Sequence, residues 1–65
     1  MKLTVHKEDD ALYLRLDDSK IMESEEVSEG IILDYNAAGK VVGIEVLYIS
    51  QRSPDSWQKI LLETA

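Results

Sequence analysis

The side chains of this sequence that could carry out chemistry are one histidine and many carboxylates. His6 is the only histidine, and the chain has no cysteine. Nucleophilic catalysis needs a Ser, Thr or Cys whose proton is taken by an oriented base. Ser19, Ser24 and Ser28 lie near one another in sequence, but no Gly-rich oxyanion turn accompanies them. We therefore predict that His6 is an ordinary surface residue and that the chain has no catalytic residues.

The carboxylates are numerous enough to attract a hard cation. Calcium takes six to eight oxygen ligands, typically from a Gly-containing loop with acids at alternating positions. Glu23, Glu25 and Glu26 lack such a loop, and the segment Lys7–Asp10 lacks its glycine and its distant glutamate. We predict neither a metal site nor a cofactor.

Asp34 and Glu45 are the one pair of acids that predicted strands bring to the same side of a hairpin. A paired-carboxylate hydrolase is conceivable on such a pair, but the predicted register does not place the two directly opposite, and a sheet this small offers little cleft. A small metal-dependent or carboxylate-using enzyme built on the acidic residues is therefore the alternative function, and a non-enzymatic protein is the expected one.

The charge balance excludes some partners. The net charge is −6, from 13 acids and 7 scattered bases. Nucleic-acid binding depends on Lys and Arg displacing counterions, so neither nucleic acid nor an anionic membrane is an expected partner. A basic protein fits the charge better. The start of the chain has no apolar run typical of a signal peptide, and no segment approaches the ~20 apolar residues of a membrane span. We therefore expect a cytoplasmic protein.

The small size of the chain indicates that its fold needs stabilisation beyond its own hydrophobic core. A chain of 65 residues is expected to form a single domain (1–65). Domains of about 60 residues bury only about 60% of their unfolded surface, and many add disulfides, metals or oligomerisation. Without cysteine, the remaining support is a partner chain, identical or not, and a homodimer is the simplest form.

Two stretches near the start alternate with the period of a half-buried strand. In Lys2–His6, Leu3 and Val5 share one side, and in Ala11–Leu16 the three leucines do. An antiparallel hairpin with Val5 opposite Leu12 and Leu3 opposite Leu14 brings all of these aliphatic side chains to one face. A slip of one residue would turn one strand's set outward.

The following segment, Asp17–Glu29, is poorly specified. Between Glu8 and Asp34 the chain has ten acids against two bases. The alternation of Ile21, Glu23, Glu25 and Val27 fits an exposed strand whose charges discourage edge-to-edge pairing, and it fits a mobile connector equally well. The segment is long enough to reach a non-adjacent strand, so strand order stays open.

The stretch Gly30–Ile49 is predicted to be a second hairpin. A four-residue loop, Asn36–Gly39, sets Tyr35 opposite Lys40 and Leu33 opposite Val42, with Gly39 at the loop position that favours positive φ. The predicted faces are Ile31, Leu33, Val42, Ile44 and Val46 on one side, and Ile32, Asp34, Val41, Gly43, Glu45 and Leu47 on the other. Gly43, in mid-strand, is typical of a bulge or a close approach.

A short C-terminal helix over 53–64 is predicted to cover part of the sheet. Ser53 is a candidate N-cap, Pro54 suits the first helical position, and Asp55 places an acid in the first turn. A helix of about three turns is too short to be stable alone, so it must dock through Trp57, either on its own sheet or on that of a symmetry mate. The predicted fold class is α+β, a small antiparallel sheet of two hairpins and about four strands (2–49) with this helix packed on it.

Part of the second hairpin is predicted to be an interface. One short helix can hardly cover both faces of a four-stranded sheet, and apolar residues occur on both sides of Gly30–Ile49. The residues expected to contact a partner are Val41, Gly43, Leu47, Ile49 and Trp57.

Several segments together resemble a known family. They are Asp10–Leu16 (DALYLRL), Glu23–Val27 (ESEEV), Gly30–Tyr35 (GIILDY) and Gly39–Leu47 (GKVVGIEVL). In order and spacing they are similar to the short prokaryotic family of domains of unknown function numbered 2283, over about Lys2 to Ile49. The resemblance implies a small antiparallel sheet in a bacterial protein and brings no catalytic residues. The loop Asn36–Gly39 departs from the acidic loop usual in the family, so the resemblance implies no metal role for it.

The leading functional hypothesis is a non-enzymatic interaction domain that self-associates or binds a basic protein. Its acidic segment Asp17–Glu29 would steer a cationic partner. A sharper form of the hypothesis is an antitoxin-like protein that masks a basic nuclease, because related short proteins resemble components of toxin–antitoxin gene pairs.

Overall fold

The structure, a computed structural model, describes residues 1–52, 55 and 57. Its main element is one antiparallel sheet of five strands in the order β1-β2-β5-β4-β3. The elements are β1 (Lys2–His6), a 3-10 turn (Lys7–Asp9), β2 (Ala11–Arg15), β3 (Glu23–Ser28), β4 (Ile31–Tyr35), β5 (Val41–Val46) and the helix α1 (Ile49–Arg52). The predicted α+β class is confirmed, with five strands rather than about four.

The first hairpin has the predicted register. Leu3 lies opposite Leu14 and Val5 opposite Leu12. The turn between β1 and β2 closes with Asp10 in the left-handed region at φ 55°, where its N–H donates to the Lys7 carbonyl at 3.0 Å. Asp tolerates this conformation better than most residues, so the charged turn fits its position.

The segment Asp17–Glu29 divides into a connector and a strand. After β2 the chain crosses to the far edge of the sheet, where β3 has β4 as its one neighbour among the described strands. Arg15 holds the connector, because its guanidinium donates to the carbonyls of Asp17 (2.7 Å) and Ser19 (2.6 Å). The Asp17 carboxylate accepts from the backbone N–H and the hydroxyl of Ser19, and these hydrogen bonds lower its pKa.

The second hairpin differs from its predicted register. Leu33 lies opposite Ile44 rather than Val42, and Tyr35 lies opposite Val41 rather than Lys40. The register shifts next to Asp34 because β5 contains one additional residue, Val42, between its partners for Asp34 and Tyr35. A β-bulge of this kind adds one residue to one strand only.

The loop that joins β4 to β5 explains why Lys40 is not in the strand. The side-chain oxygen of Asn36 accepts from the N–H groups of Ala38 and Lys40, both at 3.0 Å. The Asn36 N–H in turn donates to the Lys40 carbonyl at 2.9 Å. These bonds extend the loop to Lys40, and Gly39 has the positive φ expected of it, 76°.

The pairings give the sheet one apolar face. Two rows of facing residues cross the strands, Leu3–Leu14–Ile44–Leu33 and Val5–Leu12–Val46–Ile31. We call these eight side chains the apolar face. Successive residues of a strand point to opposite sides, so the other side, which we call the polar face, carries the rows Lys2–Arg15–Gly43–Asp34–Ser24 and Thr4–Tyr13–Glu45–Ile32–Glu26.

After β5 the chain turns at Tyr48, whose φ is 56°, and forms α1. Ile49, predicted to end a strand, is instead the first residue of this helix and is 3% exposed. The predicted helix over 53–64 lies outside the described residues, except for Asp55 and Trp57. No helix in the described part of the chain is long and apolar enough to cross a membrane.

Asp10 joins the first turn to the C-terminal part of the chain. Its carboxylate accepts from the Ser50 N–H (2.9 Å), the Ser50 hydroxyl (2.8 Å) and the Trp57 indole N–H (2.9 Å). Its own carbonyl accepts from the Ile49 N–H at 3.0 Å. The hydrogen bonds from Ser50, followed by that from Trp57, lower the pKa of Asp10.

This contact predicts an acid sensitivity that depends on Asp10. A carboxyl group whose pKa is lower in the folded state stabilises the fold at pH values above its unfolded pKa, about 3.9. That contribution is lost as pH falls through the folded pKa. We expect Asp10→Asn to be less stable than the unmodified protein at pH 6 and to lose less stability between pH 6 and pH 2. Denaturant unfolding followed by Trp57 fluorescence measures both quantities.

Asp9→Asn is the matched control, because Asp9 lies in the same turn and its carboxylate accepts no hydrogen bond from a described residue. An acid response of the Asp10→Asn variant equal to that of the control would contradict the assignment.

Candidate functional site

A buried carboxylate lies at the centre of the polar face. Asp34 of β4 is 9% exposed, the only buried charged residue among those described. Its Oδ2 accepts from the Tyr13 hydroxyl of β2 and its Oδ1 accepts from the Ser24 hydroxyl of β3, both at 2.6 Å. A buried charge is costly unless it is paired and hydrogen-bonded. Two short hydroxyl donors supply one hydrogen bond to each oxygen and link β2, β4 and β3.

Gly43 makes this contact possible. It lies on β5 between Arg15 of β2 and Asp34 of β4, so Tyr13 must cross β5 to reach Asp34. A Cβ at position 43 would overlap the Tyr13 hydroxyl and would lie 2.8 Å from Asp34 Oδ2. The sequence predicted either a bulge or a close approach at Gly43, and the structure has both, since the bulge begins at the neighbouring Val42.

We call the cluster of Asp34, Tyr13 and Ser24 the clamp, because its hydrogen bonds hold three strands together. The carboxylate only accepts, and the two hydroxyls only donate to it. Burial, and then the hydrogen bond to Asp34, raise the pKa of Tyr13, so its phenol stays protonated at neutral pH. Glu45 lies on the same face as Asp34 and is not directly opposite it, both as predicted, because its partners are Ile32 and Tyr13.

Sequence reasoning did not find the clamp. Its three side chains are separated by 10 and 21 positions in the chain. The available signals were Gly43 in mid-strand and an aspartate inside an otherwise apolar strand.

A second cluster lies at the turn after β1. One possible ligand atom from each of His6, Glu8 and Asp9 lies within 4.8 Å of the others. One imidazole and two carboxylates are ligands that a divalent transition metal accepts. His6 ends β1, and Glu8 and Asp9 lie in the turn that follows, so the three neighbours supply at most one side of a coordination sphere. The predicted absence of a metal site stays a prediction.

The apolar face is a candidate interaction surface. Leu3 is 52% exposed and Val5 is 43% exposed, and the other six side chains of the face are partly buried. Only three hydrophobic residues in the described part of the chain are buried, namely Ala11, Val42 and Ile49. Scattered exposed apolar residues are normal, but a contiguous set that spans four strands marks an interaction surface.

The predicted interface residues are distributed over several environments. Gly43 is buried under Tyr13, and Ile49 is buried at the start of α1. Val41 pairs with Tyr35, Leu47 donates its N–H to the Gly30 carbonyl at 2.8 Å, and Trp57 contacts Asp10. The structure therefore does not gather these five residues into one exposed surface.

The clamp predicts an interaction between positions 13 and 43 in unfolding experiments. We expect Gly43→Ala to lower the free energy of unfolding by about 2 kcal/mol, because the new methyl group displaces Tyr13 from Asp34. Tyr13→Phe removes the oxygen that the methyl group would overlap, so Gly43→Ala should cost about 1 kcal/mol less in that background. Urea unfolding of the two single variants and the double variant measures this coupling.

Tyr35→Phe is the control background, since Tyr35 donates to exposed Glu25 at 3.3 Å and does not contact position 43. Costs of Gly43→Ala that are equal in the Tyr13→Phe and Tyr35→Phe backgrounds would rule out the clamp.

Comparisons with known proteins give one match. The model of the family described as "Protein of unknown function (DUF2283)" matches residues 2–50, which contain all five strands and the clamp. No curated protein and no solved structure matches the chain. Because the match covers well over half of the sequence, this chain belongs to the DUF2283 family.

Proposed function

We propose that this protein is a non-enzymatic interaction domain that forms a homodimer through its apolar face. The observation that carries the proposal is the exposure of Leu3 and Val5 at the β1 end of two rows of aliphatic side chains that cross four strands. A second sheet packed on this face would complete a two-layer structure, the usual arrangement in which a sheet buries its apolar side.

The energetics favour such a partner. Full burial of a Leu or Val side chain contributes about 1.5–3 kcal/mol. Since Leu3 and Val5 are roughly half exposed, each leaves about 1 kcal/mol unrealised in the single chain. Stabilities of small domains are only about 5 kcal/mol, so burial of this face by a partner would add a substantial fraction of the free energy of unfolding.

Charge favours a second copy in a particular orientation. The eight side chains of the apolar face are all uncharged, and the acids on the same side, Glu23 and Glu25, lie on the β3 edge. A two-fold axis that runs along β5, the central strand, places β3 of one copy over β1 of the other. This arrangement keeps the glutamates of the two copies at opposite edges of the dimer, so a chain of net charge −6 can pair with itself.

A basic protein partner is the other occupant considered for the domain, and an antitoxin-like role is its sharper form. It would leave the isolated protein monomeric, so the oligomeric state distinguishes the two.

The non-enzymatic assignment rests on how the polar groups are engaged. The Asp34 carboxylate already accepts from two hydroxyls, and neither hydroxyl is directed at an imidazole. The competing class, a metal-dependent enzyme, draws on the group of His6, Glu8 and Asp9.

Thermal unfolding with added cations tests that competing class. A site that binds only the folded state raises the unfolding midpoint by mass action. We expect the midpoint to stay unchanged on addition of about 1 mM Ca²⁺, Mg²⁺, Mn²⁺ or Zn²⁺, a concentration at which a specific site of micromolar affinity would contribute about 4 kcal/mol. A rise in the midpoint that His6→Ala abolishes would support the metal-dependent class instead.

The dimer is tested with the double variant Leu3→Gln/Val5→Gln. These positions lie on the edge strand and are already exposed, so we expect the fold to be retained. Two copies contribute four such side chains, and their replacement should weaken the dimer at least about hundredfold. Light scattering over a dilution series measures the dissociation constant, and circular dichroism verifies the fold.

Thr4→Gln/His6→Gln is the matched control, since it introduces the same side chains into the same strand on the opposite face. Equal dissociation constants for both double variants would contradict the apolar face as the interface. A stable monomer at every concentration of the unmodified protein would overturn the homodimer itself and leave either a basic partner or the C-terminal segment as the cover.

A further inference from the structure

The outer edge of β3 offers unpaired backbone groups. In the described part of the chain, β3 (Glu23–Ser28) has β4 as its sole strand neighbour, and all six of its residues are exposed. In an antiparallel sheet, about half of the N–H and C=O groups of an edge strand point away from the sheet. Such an edge can accept an added strand.

The charges on this edge select what can pair with it. β3 carries Glu23, Glu25 and Glu26 and no basic residue, and Glu29 follows directly. Pairing of two β3 edges would set carboxylates of both copies against one another, and like charges directly opposite are destabilising. An added strand with lysine or arginine at the facing positions converts the same contacts into favourable pairs. The edge therefore discriminates by charge.

We propose that the β3 edge binds an extended basic segment of another protein as a sixth strand of the sheet. Glu23 and Glu25 lie on the same side of the strand, because they are two residues apart. They are expected to face basic side chains two residues apart in the partner. The segment therefore has the pattern of a short strand with Lys or Arg at every second position.

A groove beside Glu25 suits one of these basic side chains. It is lined by residues 22–25, by Tyr35 and by the loop residues Asn36, Ala37 and Gly39. The Tyr35 hydroxyl donates to Glu25 Oε1 at 3.3 Å, and burial, followed by the Glu25 charge, raises the pKa of Tyr35. A guanidinium or ammonium group in this groove would contact both a carboxylate and the ring of a neutral tyrosine, and aromatic faces attract cations.

The length of the segment is limited by a bulge. The pairing of β3 with β4 is regular from Glu23 to Glu26 and shifts before Ser28. Beyond Glu26 the strand direction changes, and the Glu26 carboxylate accepts from the Gly30 N–H at 3.0 Å. A bound segment is thus expected to pair over about four residues, within the usual length of a strand.

This proposal shares with the proposed function the assignment as an interaction domain, but it uses a different surface. The β3 edge lies outside the eight residues of the apolar face, so the two can fail separately. Repeating the binding measurement on Leu3→Gln/Val5→Gln distinguishes them, since the edge is unchanged in that variant.

The test uses a capped peptide of six alternating residues, Lys-Thr-Lys-Val-Lys-Thr, titrated into the labelled protein and followed by NMR. We expect saturable shifts of the backbone amides of residues 23–26, with slower hydrogen exchange of those that point outward. A peptide with Glu in place of Lys should not bind. Peptides N-methylated at every second residue, made in both frames, keep the charge but lose the outward hydrogen bonds, and in at least one frame binding should be abolished.

Matched protein variants distinguish binding at the β3 edge from attraction of the peptide by the overall charge of the protein. Glu23→Gln/Glu25→Gln should weaken peptide binding about fivefold, which corresponds to two cross-strand charge pairs. Glu8→Gln/Asp9→Asn removes the same charge from the turn after β1 and should change binding less than about twofold.

Three results would overturn the proposal. They are the absence of saturable binding, retained binding by both N-methylated peptides, which indicates charge attraction alone, and shifts centred on β1 instead of β3.

Discussion

The contact on which the sheet most depends is the pair of hydrogen bonds that ends on the Asp34 carboxylate. A single sheet of five strands buries few side chains, and only Ala11, Val42 and Ile49 are buried among the described hydrophobic residues. Under these conditions a buried carboxylate with a hydrogen bond to each oxygen has a large effect, because a pairing that moved Tyr13 or Ser24 away would leave an oxygen without its donor. Tyr13 and Ser24 reach Asp34 from different strands, so the arrangement selects one strand order and one register.

The clamp and the bulge of β5 depend on each other. If the pairing continued without a bulge from Tyr35 and Val41, Asp34 would lie opposite Val42 rather than Gly43. A valine at that place would obstruct Tyr13, whereas glycine leaves room for its ring and hydroxyl. The bulge therefore aligns the one residue without a side chain with the one buried charge.

This organisation separates the surfaces that the two proposals use. The polar groups that need partners are concentrated on one face, so the opposite face can consist of aliphatic side chains from four strands and is available to a second sheet. The excess of acids lies on β3, the edge strand that reaches its place by the long crossing from β2. The outward backbone groups of β3 lie in the plane of the sheet, away from both faces, so a dimer on the apolar face leaves them accessible.

The sequence by itself determined the α+β class, the register of the first hairpin and the special role of Gly43. These depend on local signals, namely alternation with period two, turn residues and a glycine inside a strand. It did not determine whether Glu23–Ser28 is a strand, where β3 lies, or that Lys40 belongs to the loop. The Asp34 clamp and the burial of Gly43 and Ile49, which were predicted to be interface residues, were also decided by the tertiary structure. The physical reason is that each depends on contacts between distant segments, and a bulge of one residue changes every pairing beyond it without a distinct signal in the amino-acid pattern.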